Sequence, residues 1–238
     1  MAMNQAGDVD EFDADAARGG YVYTRDDKLS CRLARQRHLD ALLKEVDLND
    51  RKVVDLGCGD GYMTVRLYDA GRPAAMVGID PAPNAIAVAR ANQGDRDIQF
   101  TVADAENSGL EGDAFDIGLL VGVIHHTARP TRVIAEALRV ARELVLLEPN
   151  GWSPVLKVIE KTSPYHRAHN EKSYSAKRLQ YWLDAAGARV AAIRFAGLVP
   201  FFCPDLVAAG LKRLEPIVEG TPALRNVACA FTVIRAVR

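Results

Sequence analysis

The chain has 238 residues, of which 49% are hydrophobic and 26% charged, and its formal net charge at pH 7 is −1. This size and composition fit one α/β domain with additions such as a small lid. A net charge so close to zero creates no global field that would attract nucleic acid, so we expect no nucleic-acid partner. The four cysteines form no CxxC pair and no apolar run reaches the roughly 18 residues of a spanning helix. We therefore expect a cytoplasmic protein with no metal site and no transmembrane segment.

The first part of the chain separates into two predicted regions. Residues 1–25 are predicted to be a flexible, acidic N-terminal leader, and residues 26–238 a single domain. In an alternative interpretation the leader orders over a bound ligand, with Tyr21 at its aromatic end. A helix is predicted from Asp26 or Asp27 to about Val46, because apolar residues recur there at the spacing of one buried helical face.

From residue 51 onward, short apolar stretches alternate with helical patterns. Strands are predicted at 52–56, 75–79, 98–102, 115–121 and 144–147, with helices at 62–70, 83–92 and 130–141. This alternation is typical of βαβ units and of a parallel sheet that binds ligands at its carboxyl edge. Further on, we predict a helix that begins after Ser173 or Ser175 and strands at 188–195 and 227–233. Segments 149–172 and 196–225 are predicted to be lid elements over this ligand-binding edge.

The most informative segment is the first strand with the loop that follows it. Here Asp55 precedes three glycines at every second position, Gly57, Gly59 and Gly61, and such glycines remove side chains where a ligand touches backbone. Each negative charge of a dinucleotide pyrophosphate about 4 Å from Asp55 would cost roughly 4 kcal/mol at an effective dielectric near 20. A nucleoside with a positively charged tail avoids this cost. The loop therefore indicates S-adenosylmethionine as the cofactor.

Two further acids follow predicted strands. Asp80 ends the second strand, where a carboxylate can accept both ribose hydroxyls through bonds worth about 1.5–3 kcal/mol each. Asp104 follows the third strand and can accept from the exocyclic amine of adenine. Each acid could instead cap a helix or stabilise a turn. Because both acids and the glycine loop follow strands at the same edge of the predicted sheet, we interpret residues 50–150 as a cofactor-binding core.

A nicotinamide- or flavin-binding domain is the competing interpretation of the loop. It also has a glycine-rich turn and an acid about 20 residues later. Its third glycine falls three residues after the second, which is position 62, and this chain has Tyr62 there. An NAD(P)-dependent oxidoreductase therefore remains only the weaker alternative.

Residues 51–150 resemble the class I S-adenosylmethionine-dependent methyltransferases, in particular the group that includes ubiquinone and menaquinone biosynthesis methyltransferases. The resemblance is carried by VVDLGCGDG, VGIDPAPNAIAVAR, FTVADAENSGL and FDIGLLVGVIHHTARP, followed by EPNGWSP and EKSYSAKRLQYWLDAAGA. It implies a Rossmann-like α/β fold with a seven-stranded, mostly parallel sheet, helices on both faces and an antiparallel last strand. It also implies that the cofactor is contacted by Asp55, Gly57, Cys58, Gly59, Asp80, Pro81, Asp104, Ala105 and Val121.

Methyl transfer to an oxygen usually needs a base, and histidine is suited to that role near neutral pH. His125 and His126 follow the predicted fourth strand, beside the expected position of the methyl group. We favour His126 as the catalytic base; alternatively, the pair only caps the turn before Pro130. Candidates for the acceptor pocket are aromatic residues expected at the same edge, although they could also be ordinary core residues: Tyr21, Trp152, Tyr165, Phe201 and Phe202.

The sequence thus predicts methyl transfer from S-adenosyl-L-methionine to a small-molecule acceptor. The acceptor atom is expected to be an oxygen on an aromatic, quinone-like or lipid-linked compound. A catalytically inactive, cofactor-binding partner or regulatory protein is the alternative from a different class. The apolar stretch 198–210 could also form a homodimer interface or contact a membrane surface peripherally.

Overall fold

A computed structural model describes residues 13–163 and 172–238 of the chain. Its central sheet has seven strands in the order β3-β2-β1-β4-β5-β7-β6. Strands β1 to β5 pair in parallel, and β7 is antiparallel to both of its neighbours, β5 and β6. The predicted mostly parallel, Rossmann-like sheet with an antiparallel last strand is confirmed. The strands are β1 (Lys52–Leu56), β2 (Ala75–Asp80), β3 (Ile98–Val102), β4 (Phe115–Val121), β5 (Ala141–Pro149), β6 (Arg189–Ala196) and β7 (Phe231–Val237).

Helices cover both faces of this sheet. They are α1 (Val22–Arg25), α2 (Leu29–Glu45), α3 (Tyr62–Gly71), α4 (Pro83–Gln93), α5 (Pro130–Val140), α6 (Pro154–Thr162), α7 (Ala176–Ala185), α8 (Asp205–Gly220) and α9 (Pro222–Ala228). The helix predicted from Asp26 or Asp27 begins at Leu29, and the helix predicted after Ser173 or Ser175 begins at Ala176, with the Ser175 side chain as its cap.

Neighbouring residues of the central strands enter separate hydrophobic cores on the two faces. Val54 and Leu120 pack with α5 and α7, whereas Val53 and Leu119 pack with α2, α3 and α4. A strand that is buried on both faces needs apolar residues at successive positions, not only at alternate ones. This double burial explains the continuous apolar stretches that predicted the parallel strands.

The end of the chain differs from its prediction. A strand was expected at 227–233, but residues 222–228 form α9, and β7 starts only at Phe231. The predicted strand is therefore wrong over 227–230. Between β6 and α9 the chain forms α8, a helix that lies within the predicted lid segment 196–225.

Strand β1 lies between β2 and β4, so β2 and β3 follow on one side of β1 and β4 and β5 on the other. The order of the strands therefore reverses at β1. In open α/β sheets the ligand site lies in the crevice at such a switch point. The loops after β1, β2, β3 and β4 all meet at this edge. No helix within residues 13–163 and 172–238 has the length and apolar composition needed to cross a membrane.

Candidate active site

The glycine loop connects β1 with α3 and packs tightly against its surroundings. Gly57, Gly59 and Gly61 have positive φ angles of 82°, 55° and 73°. A Cβ on Gly57 would lie 2.6 Å from Cγ2 of Val123, so the loop after β4 touches the glycine loop directly. Both the backbone angle and the lack of space therefore require glycine. Cys58 lies in the same loop, and burial raises the pKa of its thiol, which keeps it protonated.

Asp80 joins the glycine loop to the start of α4. Its Oδ2 accepts from the Gly59 N–H at 2.9 Å, and its Oδ1 accepts from the Ala82 N–H at 2.9 Å. Burial nevertheless raises the pKa of Asp80 to about 6, against these two bonds. Each carboxylate oxygen has a second lone pair, so Asp80 can still accept ribose hydroxyls. Pro81 follows it and is half-buried.

Asp55 lies beneath the glycine loop, at the carboxyl end of β1. Its Oδ2 accepts from the Thr64 hydroxyl at 2.6 Å, whereas its buried Oδ1 has no hydrogen-bond donor within the described ranges. Burial raises the pKa of Asp55 to about 6, although the Thr64 bond opposes this, and the nearby Asp80 charge adds to the shift. A buried carboxylate oxygen without a donor is costly, and a cationic group would remove that cost.

Asp104 and Ala105 follow β3 beside this pair of acids. The Ala103 N–H donates to the Asp80 carbonyl at 3.1 Å, which fixes the exit of β3 next to β2. Asp104 is exposed, and its Oδ1 accepts from the Glu106 N–H at 2.9 Å, so it stabilises its own turn. Ala105 is buried. The turn and the adenine interpretations of Asp104 are compatible, because the carboxylate is only partly used by the turn.

The loop after β4 is organised by a residue that the sequence analysis did not identify. Glu148, near the end of β5, is buried and accepts from the backbone N–H groups of Val123, Ile124 and His125 at 2.9, 2.7 and 3.2 Å. Its Oε2 also lies 2.7 Å from Nδ1 of His125. The signal that could have identified Glu148 is an acid at the end of an apolar strand. Val121 pairs with Leu147 across β4 and β5, so residue 148 lies beside the end of β4.

The two histidines differ in their surroundings. His125 is buried and bound to Glu148, while His126 is half-buried, and their rings lie 3.8 Å apart. The contact with Glu148 through Nδ1 selects the tautomer of His125 in which Nε2 is the basic nitrogen. Val121 is the last residue of β4 and is half-buried, at the start of this loop.

The N-terminal segment lies over the glycine loop. A Cβ on Gly59 would lie 2.7 Å from Cε2 of Tyr21, so this ring packs on the loop. The Tyr21 N–H donates to Asp60 Oδ2 at 3.1 Å, and the Thr24 hydroxyl donates to the same oxygen. Arg35 of α2 donates from Nη1 to two carbonyls of the segment, those of residues 23 and 26, at 2.8 and 2.7 Å. Residues 13–25, assigned above to a leader, are thus packed against the site.

The predicted acceptor-site aromatic residues fall into two groups. Phe201 and Phe202 pack against Tyr23, with ring centroids 5.1 and 5.4 Å away. Trp152 instead stacks on Phe195 of β6, with centroids 6.2 Å apart. Tyr165 lies outside the described residues. Among the described residues of this set, Tyr21 belongs to the segment that covers the glycine loop, and Phe201 and Phe202 pack on that segment.

Residues 54–147 match the methyltransferase domain family. The match runs from β1 into β5 and includes Asp55, Asp80 and Asp104. The chain carries a class I S-adenosylmethionine-dependent methyltransferase domain. The predicted family and its cofactor, S-adenosyl-L-methionine, are confirmed.

Relatives of this methyltransferase domain have different activities. The ubiquinone biosynthesis O-methyltransferase of Azorhizobium caulinodans is 34% identical over 106 residues, which cover 44% of this chain and 39% of that protein. The tRNA U34 carboxymethyltransferase of Methylococcus capsulatus is 30% identical over 198 residues, which cover 75% of this chain and 60% of that protein. The chain thus spans less than two thirds of the length of either relative.

A solved structure with another activity shows the same fold. The [4+2]-cyclase SpnF is 20% identical, with a TM-score of 0.68 over 98% of this chain and 94% of that one. At this identity the likeness concerns the fold alone. Neither the fold nor the family therefore identifies the acceptor.

The residues of the methyltransferase domain fit the cofactor. The buried Asp55 Oδ1 without a donor suits a cationic amino acid tail, and the Asp80 carboxylate suits ribose hydroxyls. Within the described ranges, no group of three or more His, Cys, Asp or Glu residues is arranged to hold a metal ion.

Proposed function

We propose that the protein transfers a methyl group from S-adenosyl-L-methionine to an oxygen of a small aromatic, quinone-like or lipid-linked acceptor. The observation that carries this proposal is the Glu148–His125–His126 arrangement beside the glycine loop. Val123 contacts Gly57 and is two residues from His125, so a histidine pair with a carboxylate partner lies next to the cofactor loop. Such a pair can accept the proton that an oxygen acceptor loses.

The cofactor is held by the loop and by the acids around it. When bound, it supplies a methyl group already activated on a sulfonium, so the protein mainly orients the acceptor and excludes water. Asp55 would pair with its ammonium group, Asp80 would accept from the ribose, and Asp104 with Ala105 would flank the adenine. Gly57, Cys58, Gly59 and Pro81 would provide close backbone contact, and the Val121 carbonyl would accept from the amino group.

His126 is proposed as the base, and His125 as its positioning residue. His126 is half-buried, so it can pass a proton to solvent, whereas His125 is buried and bound to Glu148 through both backbone and ring. The Glu148 carboxylate stabilises a positive charge that develops on the adjacent rings. The acceptor proton therefore goes to His126, and the methyl group to the deprotonated oxygen.

An apolar acceptor suits the aromatic group at the cover of the site. Phe201 and Phe202 meet Tyr23, which is two residues from the Tyr21 ring on Gly59. Aromatic rings in this arrangement favour a flat, apolar ligand over a polar polymer.

The test is incubation of the protein with isotopically labelled cofactor and a metabolite extract, followed by mass spectrometry. We expect one labelled methylated product in the lipophilic fraction, with equimolar S-adenosylhomocysteine. An Asp80→Ala variant serves as the control for cofactor-dependent labelling. Cofactor binding without any turnover would support the inactive, cofactor-binding alternative.

A nucleic-acid acceptor is the second candidate, because a tRNA U34 carboxymethyltransferase aligns over 75% of this chain. The net charge of −1 provides little attraction for tRNA. Total tRNA as the acceptor in the same assay decides between the two. Label in tRNA nucleosides and none in the lipophilic fraction would overturn the small-molecule proposal.

A further inference from the structure

Helix α8 is attached to the protein by its charged side. Arg37 of α2 donates to Glu219 from Nε at 2.9 Å and from Nη2 at 2.5 Å, and its Nε lies 3.5 Å from Glu215 Oε1. Backbone N–H groups of Leu198 and Gly197 donate to the same two carboxylates at 3.1 and 2.9 Å. Burial alone would raise the pKa of Glu219, but Arg37 and the Gly197 N–H hold it below its usual value. This is the reverse of an ordinary amphipathic helix, whose charged side faces water.

The opposite side of α8 is apolar and exposed. Residues 206, 207, 210, 213, 214 and 217 fall within about one third of the helix circumference at 3.6 residues per turn. The adjacent α9 continues the surface. The six large apolar side chains, between 44% and 90% exposed, are Leu206, Val207, Leu214, Ile217, Leu224 and Val227, and we call them the α8–α9 surface.

Basic residues accompany the α8–α9 surface, while most of the acids of these helices are turned inward. Arg213 and Arg225 are exposed, and neither forms an ion pair within residues 13–163 and 172–238. Glu215 and Glu219 point to Arg37, so Asp205, at the start of α8, is the exposed acid of the two helices. Solvent therefore meets a surface that is apolar and locally positive, although the whole chain has a net charge of −1.

This surface begins next to the active site. Phe202 is 42% exposed and lies shortly before α8, and its ring packs on Tyr23. Tyr23 belongs to the segment that covers Gly59. An apolar ligand bound at α8 would thus lie next to the segment that covers the glycine loop.

We propose that the α8–α9 surface binds the interface of an anionic lipid bilayer, with both helices lying along the membrane plane. Exposed apolar side chains with neighbouring arginines match the acyl and headgroup layers of such a membrane. A second copy of the chain fits less well, because a two-fold contact would bring equivalent surfaces with the same positive charges together. The inference goes beyond the proposed function and does not depend on methyl transfer.

The test is sedimentation of the purified protein with vesicles of phosphatidylcholine, with or without phosphatidylglycerol. We expect binding to the anionic vesicles, weakened by salt, and about tenfold weaker binding to the neutral ones. The double variant Leu206→Glu/Ile217→Glu should lose binding, and Arg213→Glu/Arg225→Glu should lose the preference for anionic lipid. Tyr181→Glu is the matched control, because Tyr181 is an aromatic residue of α7 that is 62% exposed, outside the α8–α9 surface.

Two outcomes would overturn the proposal. One is wild-type protein that stays in the supernatant with every vesicle composition. The other is a dimer, measured by light scattering, that Leu206→Glu/Ile217→Glu dissociates while Tyr181→Glu does not, which would assign the surface to a second copy. Because the substituted residues are exposed, circular dichroism should show unchanged folding.

Discussion

At the scale of single residues, two buried carboxylates predict that the site prefers a cation. Asp55 and Asp80 both lie near the glycine loop, and burial raises the pKa of each to about 6. One oxygen of Asp55 has no donor within the described residues. A guest with an ammonium group would supply the missing donor and lower the cost of both negative charges.

We predict that affinity for S-adenosyl-L-methionine rises between about pH 5 and about pH 7, because Asp55 must ionise to pair with the ammonium group. Calorimetric titration at several pH values measures this. Asp55→Asn should bind more weakly and show a flatter profile, whereas Asp104→Asn should keep the rise. A wild-type affinity that does not change over this range would contradict the role of Asp55.

We predict that His126→Ala lowers kcat by about 10²- to 10⁴-fold and changes the cofactor Kd little, since general acid–base catalysis contributes that much. His125→Ala and Glu148→Gln should shift the pH profile of kcat, because both residues act through the position and charge of the His126 ring. Initial rates with the acceptor found by mass spectrometry test both statements. Wild-type turnover in His126→Ala would leave this residue with a role in the turn only.

At the scale of secondary-structure elements, α2 holds both the N-terminal segment and helix α8. Arg35 binds the N-terminal segment through two carbonyls, and Arg37 binds α8 through two carboxylates. The segment also donates to Asp60 beside the glycine loop. The cover of the site therefore depends on α2, and within the described residues this helix forms no hydrogen bond or ion pair with Asp55 or Asp80.

We predict that Arg35→Ala loosens residues 13–27 and speeds release of the cofactor. The substitution leaves two carbonyls without their charged donor, a loss of about 1–3 kcal/mol per unsatisfied group. Hydrogen exchange of the segment and stopped-flow dissociation measure the two effects. Lys44→Ala is the control, because Lys44 lies on the same helix, is exposed and forms no described contact with the segment. Equal effects of both variants would contradict a specific role for Arg35.

The elements also show where sequence patterns inform and where they fail. Strands β1 and β4 have the predicted bounds, because a strand buried on both faces has a continuous apolar pattern. Strand β3 also has the predicted bounds, although it is the edge strand and its residues are buried only at Ile98 and Phe100. Helix α8 was not predicted: its apolar side faces outward, and Pro200, Pro204 and Pro216 disturb the pattern around it. Glu148 was missed for another reason, since its partners, three backbone N–H groups and the His125 ring, are brought near it by the pairing of β4 and β5.

At the scale of the whole molecule, the sheet has a first region, formed by strands β1 to β5, and a second region, formed by β6 and β7. The loops that surround Asp55, Asp80, Asp104 and the histidines all follow strands β1 to β4, and Glu148 is on β5. Strand β6 joins this region only through β7. The spacing of the glycines and acids could predict the first region, whereas the position of Trp152, away from Phe201, depends on how the second region folds back.

We predict that the free energy of unfolding of the cofactor-free protein contains a contribution that falls as pH rises from about 4 to about 6. Asp55 and Asp80 have raised pKa values in the native state, so that state binds more protons than the unfolded chain in this range, and stability decreases with pH. Urea unfolding at several pH values measures the effect. Asp55→Asn should reduce the slope, and Asp95→Asn, an exposed loop substitution, should not. Identical slopes in all three proteins would contradict the raised pKa of Asp55.

The insertion of β7 between β5 and β6 has a consequence for biosynthesis. On the ribosome, strands β1 to β5 emerge first and can already pair with one another, since each has its parallel neighbour by then. Strand β6 has to wait, with its edge unprotected, until β7 has left the exit tunnel. A nascent chain would therefore complete the half that carries the glycine loop well before the half that carries α8 and α9, and a stalled translation product would expose the latter to chaperones.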